Sequence, residues 1–348
     1  MITIYAPGHM DVMDSYGLLA CQLLRYLNKS GVEAHAIAMG KAQLDTQPDD
    51  IASLMARPLR PSYGGILLGY PTTYEAYGQL ANAGKKIALT MFESSKIPPE
   101  WVPILNGVDA VIVPSKFCKD SFAACGVEVP IHVVPLGINE VYKPVKRPAN
   151  RPLTFLAFLD RGARKGGHVA IQAFCLAFGD RKDVRLILKS RDPKVRMTAT
   201  NDNIDIIQQD MSESELAALY GRCDVLINPN KGEGFGLIPR EFAATGGIAL
   251  TTEWGGTADH LDKWGWALPH SLVPADWKGV KKFQNVDLGE WAEPDIEGIA
   301  AVLQEIAANR RTYQIAAMSR ANNVHQLYSW PRFANHVYAV WESVANGN

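Results

Sequence analysis

Two acids around a glycine-rich turn carry the most pointed chemistry in the chain: Asn228-Pro229-Asn230-Lys231-Gly232-Glu233-Gly234-Phe235-Gly236-Leu237-Ile238-Pro239-Arg240-Glu241. The run Asp224–Ile227 before it reads as a buried strand, and Phe242, Ala243 and Ala244 after it continue a helix. Glycines let a backbone come close to a ligand, and the free N–H groups of a helix start favour an anion such as a phosphate. Glu233 before the turn and Glu241 on the first helical turns can then bind hydroxyl groups on either side of a diphosphate. Taken singly, Glu241 fits a residue complementing the helix dipole and Glu233 a solvated loop acid. The whole string fits a nucleotide-sugar site better.

A second group, Asp160-Arg161-Gly162-Ala163-Arg164-Lys165-Gly166-Gly167, follows the apolar run Leu153–Leu159. Three cations directly before a helix N-terminus are opposed by its dipole, a conflict that a bound anion resolves. Lys165 is the first choice for that anion and Arg161 the next, with the alternative between Arg161 and Arg164 left open. Any one of them could equally extend into water.

The elements that must position these groups alternate along the chain. Short apolar runs at Ile2–Ala6, Ala34–Met39, Gly65–Tyr70, Ile87–Met91, Ala110–Val113 and Ile131–Pro135 are bounded by Gly, Pro or charge. Between them lie helical patterns such as Leu18, Leu19, Leu23, Leu24 and Leu27. Alternation of this kind predicts a parallel sheet covered by helices on both faces. Residues 143–152, with three prolines, read as a linker. The pattern then restarts with strand Leu153–Leu159, helix Gly167–Phe178, strands Val184–Lys189 and Ile204–Gln208, helix Glu213–Gly221 and strand Val225–Ile227. The tail from about Pro294 to Val344 reads as helical throughout. The expected fold is α/β, with two doubly wound Rossmann-like domains: 1–142, then 153–328 after the linker, and a last helix over 329–348 returning to the first domain. Ligands of such sheets bind at the carboxyl ends of the strands, so the two halves are expected to face a common cleft.

Composition narrows the classes. The 348 residues carry a formal charge of −1 with 47% hydrophobic and 20% charged residues, as in an ordinary folded chain with no global field for nucleic acid or anionic membrane. Charge is uneven, however: residues 143–196 hold 14 Lys/Arg against 4 Asp/Glu. Five dispersed cysteines fit thiols kept reduced in a cytoplasm. No apolar run approaches the roughly 18 residues of a membrane span, which leaves peripheral attachment open. No D-x-D sits at a strand end and no His/Asp set has ligand spacing, so neither a metal nor a cofactor is expected.

The string from Glu233 to Glu241 resembles the motif of the retaining nucleotide-sugar glycosyltransferases of the GT-B fold, especially glycosyltransferase family 4. Gly246-Gly247 before the strand Ile248–Leu250, Gly255-Gly256-Thr257-Ala258-Asp259 in place of a G-G-x-x-E turn, and Ser329-Trp330-Pro331 at a helix start match in order. The resemblance implies transfer of a sugar from a nucleoside-diphosphate donor by front-face substitution. It gives Glu233 the donor-sugar hydroxyls and Glu241 the ribose, with Gly234, Phe235, Gly236 and Leu237 beside the sugar and diphosphate. It also gives Lys165 and Arg161 the leaving diphosphate. Relatives have four residues between that Arg and Lys, whereas Arg161 and Lys165 have three, which keeps Arg164 in play. Gln209 and Met211 fall near the nucleotide base, while Ser212 also reads as the N-cap of the helix that begins at Glu213.

On the acceptor or sugar side stand His9 and Asp14, in the loop after the first strand, and Glu93 after the fourth. Asp14 fits a helix N-cap equally well. Glu93 is a substitute for a histidine of the relatives, an acceptor contact, or a surface ion pair. The partners expected are a nucleotide-sugar, UDP-linked foremost, and a hydroxyl-bearing glycan, lipid or small molecule. Two other readings compete. The basic block would suit a phage-type enzyme acting on hydroxymethylated DNA, since phosphate neutralisation needs clustered Lys/Arg. The departures at Gly8, Asp259 and Phe92-Glu93 would suit a nucleotide-sugar-binding protein without transfer activity.

Overall fold

The structure, a computed structural model, describes residues 1–8, 10, 15–40, 47–58, 64–82, 84–159, 163–192, 201–277 and 279–347. The chain forms two compact units, Met1–Gly137 with Tyr328–Asn348, and Ile138–Leu327.

The first unit is built on strands β1 (Ile2–Ala6), β2 (Ala34–Ala38), β3 (Gly64–Leu68), β4 (Lys85–Leu89), β5 (Ala110–Val113) and β6 (Ile131–Val133). They form one sheet in the order β2-β1-β3-β4-β5-β6, every pairing parallel. β1, β3 and β5 are buried along their whole length, the signature of strands covered on both faces. Helix Trp330–Ala345, N-capped by the Ser329 hydroxyl, packs against helix Ser15–Lys29 of the same unit. At Gly137 a Cβ would lie 2.3 Å from the Trp330 nitrogen, so only glycine fits where the chain passes that helix start.

The second unit holds β7 (Leu153–Phe158), β8 (Val184–Ser190), β9 (Ile204–Gln208), β10 (Val225–Asn228), β11 (Ile248–Thr252) and β12 (Trp266–Leu268). Their order is β12-β11-β10-β7-β8-β9, again all parallel. Strand order therefore reverses between β7 and β10, and the carboxyl ends of strands at such a reversal are where ligands of doubly wound sheets bind. The core beneath is aromatic and aliphatic, with Phe155, Phe174 and Phe178 in mutual ring contact.

The unit also carries an antiparallel hairpin that the periodicity does not predict, β13 (His270–Pro274) with β14 (Glu290–Pro294). Pro294 ends that hairpin, and the helical tail expected from about there begins at Ile296. The helices run Ile296–Ala308, Arg310–Leu327 and Trp330–Ala345. No helix among the described residues is long and apolar enough to cross a membrane.

The proline-rich segment 143–152 belongs to this second unit. The Arg147 guanidinium donates to the carbonyl oxygens of Cys223, Thr245, Tyr220 and Val145. Arg151 and Arg310 converge on Asp224, which has no exposed surface, at 3.0 and 3.3 Å. These arginines hold the segment by satisfying buried acceptors, which explains why prolines that suit neither helix nor strand still lie in an ordered path.

Candidate functional site

The two loops at the strand-order reversal are joined to each other. After β7, a short 3₁₀ turn over Ala163–Lys165 leads through Gly166, φ 72°, into helix Gly167–Phe178. After β10 comes Pro229, and a Cβ on Gly166 would sit 1.8 Å from its carbonyl oxygen. The Lys231 amide donates to Arg164 O at 2.7 Å, and Arg164 Nη1 donates to Gly232 O at 2.5 Å. The close fit of glycine against backbone brings the cations of one loop onto the acid of the other.

Lys165 Nζ lies 2.6 Å from Glu233 Oε1, and Arg164 Nη1 lies 3.5 Å from Glu233 Oε2. The Glu233 side chain is 13% exposed. Burial pushes its carboxyl up, but Lys165 and Arg164 together outweigh burial and hold it below the ordinary glutamate value. Glu233 is thus an ionised acceptor of hydrogen bonds at neutral pH, not a proton donor. Sequence left Arg161 and Arg164 as alternatives; Arg164 reaches the turn, while Asp160, Arg161 and Gly162 lie outside the described residues.

The turn itself is backed by a second glycine loop. Gly256 N donates to Glu233 O at 2.7 Å, and a Cβ at Gly256 would fall 2.1 Å from Gly234 O. Gly236, φ 82°, then starts helix Leu237–Ala244. Phe235 is buried, its ring under the Arg240 guanidinium, so it offers a ligand its backbone and not its ring face.

Glu241 faces a different environment. It is buried, and its carboxyl is pushed up to about 8 by burial and by the Glu213 carboxylate, with the Tyr220 side chain acting against the shift. Tyr142 and Tyr220 pack together, ring centroids 5.5 Å apart, and both feel the Glu241 charge. The two acids that flank the turn are thus of opposite kinds, one ion-paired and ionised, the other proton-holding when no ligand is bound.

Gln209 and Met211 lie between β9 and helix Glu213–Arg222. The Gln209 amide donates to Ser190 O at 3.1 Å, and its carbonyl accepts from the nearly buried Lys189 ammonium. Ser212 caps the following helix in a reciprocal box with Glu215. Ser212→Ala should therefore cost about 1 kcal/mol of stability, read as a shifted urea midpoint with unchanged slope. In the first unit, Glu93 follows β4 and adds its charge to the surroundings of the buried Tyr16 hydroxyl. His9 and Asp14 lie outside the described residues. Among the described residues no group of three His, Cys, Asp or Glu side chains is placed to hold a metal.

Three features of the site escape sequence reading. Lys231 pairs with Glu293, and the Ala292 amide donates to Lys231 O at 2.8 Å, so the hairpin is strapped to the turn. Trp277, in the hairpin loop, contacts Trp291 and lies 5.9 Å from the Arg164 guanidinium. Arg240 is fully buried behind the turn. Of the tryptophans in this part of the unit, Trp264 and Trp291 are buried in packing.

The basic block has a structural account. Besides Arg147, Arg151, Arg164 and Lys165, exposed pairs join Arg181 to Asp183, Lys182 to Asp202 and Arg185 to Asp205. Four acids from outside 143–196, Asp202, Asp205, Asp224 and Glu233, offset part of the block's local excess.

No protein-family model matches the chain. A curated viral relative, "Putative glycosyltransferase 45" of Sulfolobus islandicus filamentous virus (isolate Iceland/Hveragerdi), is 26% identical over 162 residues, 44% of each chain. The match therefore spans less than half of that relative's length. Among solved structures, sucrose-phosphate synthase from Thermosynechococcus elongatus is similar over 100% of both chains, with a TM-score of 0.73 and 16% identity. Anabaena HepE in complex with UDP and glucose is similar over 99% of this chain and 100% of its own, with a TM-score of 0.70 and 10% identity. At such identities the likeness is one of fold, and the fold is GT-B with two Rossmann-like sheets.

Proposed function

We propose that the protein is a glycosyltransferase moving a sugar from a nucleoside-diphosphate donor, a UDP-sugar foremost, to a hydroxyl acceptor with retention at the anomeric carbon, in the manner of family 4. The observation that carries this reading is the convergence of Lys165, Arg164 and Glu233 where the strand order of the second unit reverses. The UDP and glucose bound by the HepE neighbour, and the name of the viral relative, support the donor class.

In this reading Lys165 and Arg164, joined by Arg161, receive the diphosphate, and Glu233 turns from them to accept hydroxyls of the sugar. Glu241 takes the ribose, the backbone from Gly234 to Leu237 lies along the sugar-phosphate, and Gln209 and Met211 flank the base. Glu93, His9 and Asp14 are the proposed acceptor contacts. The bond from the anomeric carbon to the diphosphate oxygen breaks as the bond to the acceptor oxygen forms on the same face. The acceptor proton passes to a phosphate oxygen of the departing nucleotide. Fixed cations stabilise the charge that develops there, so no step calls for a metal. The DNA-acceptor reading loses ground, because many cations of the basic block are already held by carboxylates or carbonyls.

UDP at about 100 times its Kd should stabilise the protein by roughly 2.7 kcal/mol, a rise of several degrees in Tm. If UDP, GDP and TDP at millimolar concentration all leave Tm unchanged, and no nucleotide is released from their sugars, the reading is wrong.

A further inference from the structure

We propose that Arg240 is a positioning residue for the donor, a buried guanidinium that turns the carbonyls of the glycine-rich loop inward and thereby its amides outward. The proposal rests on the donor-site reading above. Arg240 lies one turn into helix Leu237–Ala244 and has no exposed surface. Its Nη1 donates to Phe235 O, and to Gly236 O at 3.3 Å; its Nη2 donates to Gly256 O at 2.9 Å and Asp259 O at 3.2 Å. The guanidinium is stacked between two rings, 4.1 Å from the Phe235 centroid and 4.5 Å from that of Trp264.

The two loops so bridged meet through glycine. A Cβ at Gly236 would stand 2.5 Å from Thr257 Cγ2, and one at Gly256 would strike Gly234 O. Contacts of that kind leave little side chain at the junction to fix the loops, and Arg240 supplies it from behind. In a planar trans peptide the C=O of one residue and the N–H of the next point in opposite directions. With the Phe235 and Gly236 carbonyls aimed at Arg240, the amides of Gly236 and Leu237 are aimed away from it. Neither amide has a partner among the described residues. They are orphan donors at a helix start, the groups that suit an anionic diphosphate. A lysine would keep the charge but donate from one atom, and could not span both loops.

The test compares Arg240→Lys and Arg240→Met with wild type, titrating UDP calorimetrically well below each Tm. Both variants should weaken UDP by tenfold or more and alter the hydrogen exchange of the Gly236 and Leu237 amides. A residue that only stabilises the fold would lower Tm and leave the UDP Kd of the folded protein unchanged; that result would overturn the proposal. Should neither variant fold, the wild-type amide spectrum decides: UDP must shift Gly236 and Leu237, and unshifted amides refute the role. Should wild type bind no nucleotide, the donor reading fails. The exchange rates in whichever variant folds, or failing both the wild-type exchange of the Arg240 Nη protons, then decide the loop-fixing role, and rates like wild type in a variant, or unprotected Nη protons, refute it.

Discussion

Replacing Lys165 with alanine is expected to cut donor turnover by roughly 10² to 10³-fold, the loss typical when one preorganised donor to developing negative charge is removed. The substitution does two things at once. It takes away the cation proposed to meet the leaving diphosphate, and it leaves Glu233 without its partner at 2.6 Å. Burial raises the Glu233 carboxyl and the cations lower it, so without Lys165 the balance moves upward. The acidic limb of the turnover profile should therefore shift to higher pH in Lys165→Ala, measured as nucleotide release across pH 4 to 8. Arg181→Ala, which breaks an exposed pair with Asp183, should leave turnover at the wild-type level. An unshifted limb with full turnover in Lys165→Ala would remove that lysine from the site.

Glu241→Gln is expected to act in opposite directions on stability and on binding. The folded carboxyl titrates at about 8 against an ordinary value of 4.5, so the folded state holds an extra proton between those limits. The stability this contributes is full below the unfolded value and is lost as pH rises through the folded one. The total is on the order of several kcal/mol for a group this buried. Glutamine mimics the protonated acid, so the variant should melt several degrees higher than wild type at pH 9. Binding runs the other way. A carboxylate accepting two ribose hydroxyls is worth about 1.5–3 kcal/mol per charged hydrogen bond, so UDP should bind roughly tenfold or more weakly to Glu241→Gln. Wild-type affinity should also rise with pH up to about 8. A lower Tm for the variant at pH 9, or an unchanged UDP Kd, contradicts this assignment.

The sheets were legible because buried parallel strands need apolar runs on both faces, and runs such as Ile2–Ala6 and Ala110–Val113 are strands with those bounds. The β13–β14 hairpin was not, because its strands mix Pro, Trp, His and Glu without a clean alternation, and its placement depends on Lys231 and Ala292 meeting across the fold. Charge was the least legible property. A count of Lys and Arg over 143–196 sees an excess, whereas the folded chain brings Asp202, Asp205, Asp224 and Glu233 to it from elsewhere. Arg240 shows the same limit: in sequence it is one cation beside Glu241, and only the fold encloses it among four carbonyls and two rings. Glu233 and Lys165 were legible as residues, but their mutual ion pair was not, since 68 positions separate them.

The central claim is that Glu233 and the cations beside it form a donor site for sugar transfer. Mass spectrometry of wild type and Glu233→Ala with UDP-, GDP- and TDP-sugars, over a panel of hydroxyl acceptors, tests it most directly. The account predicts that wild type consumes one donor and releases its nucleotide, and that Glu233→Ala releases far less while remaining folded. Equal turnover by both proteins, or none by wild type with any donor, would contradict it.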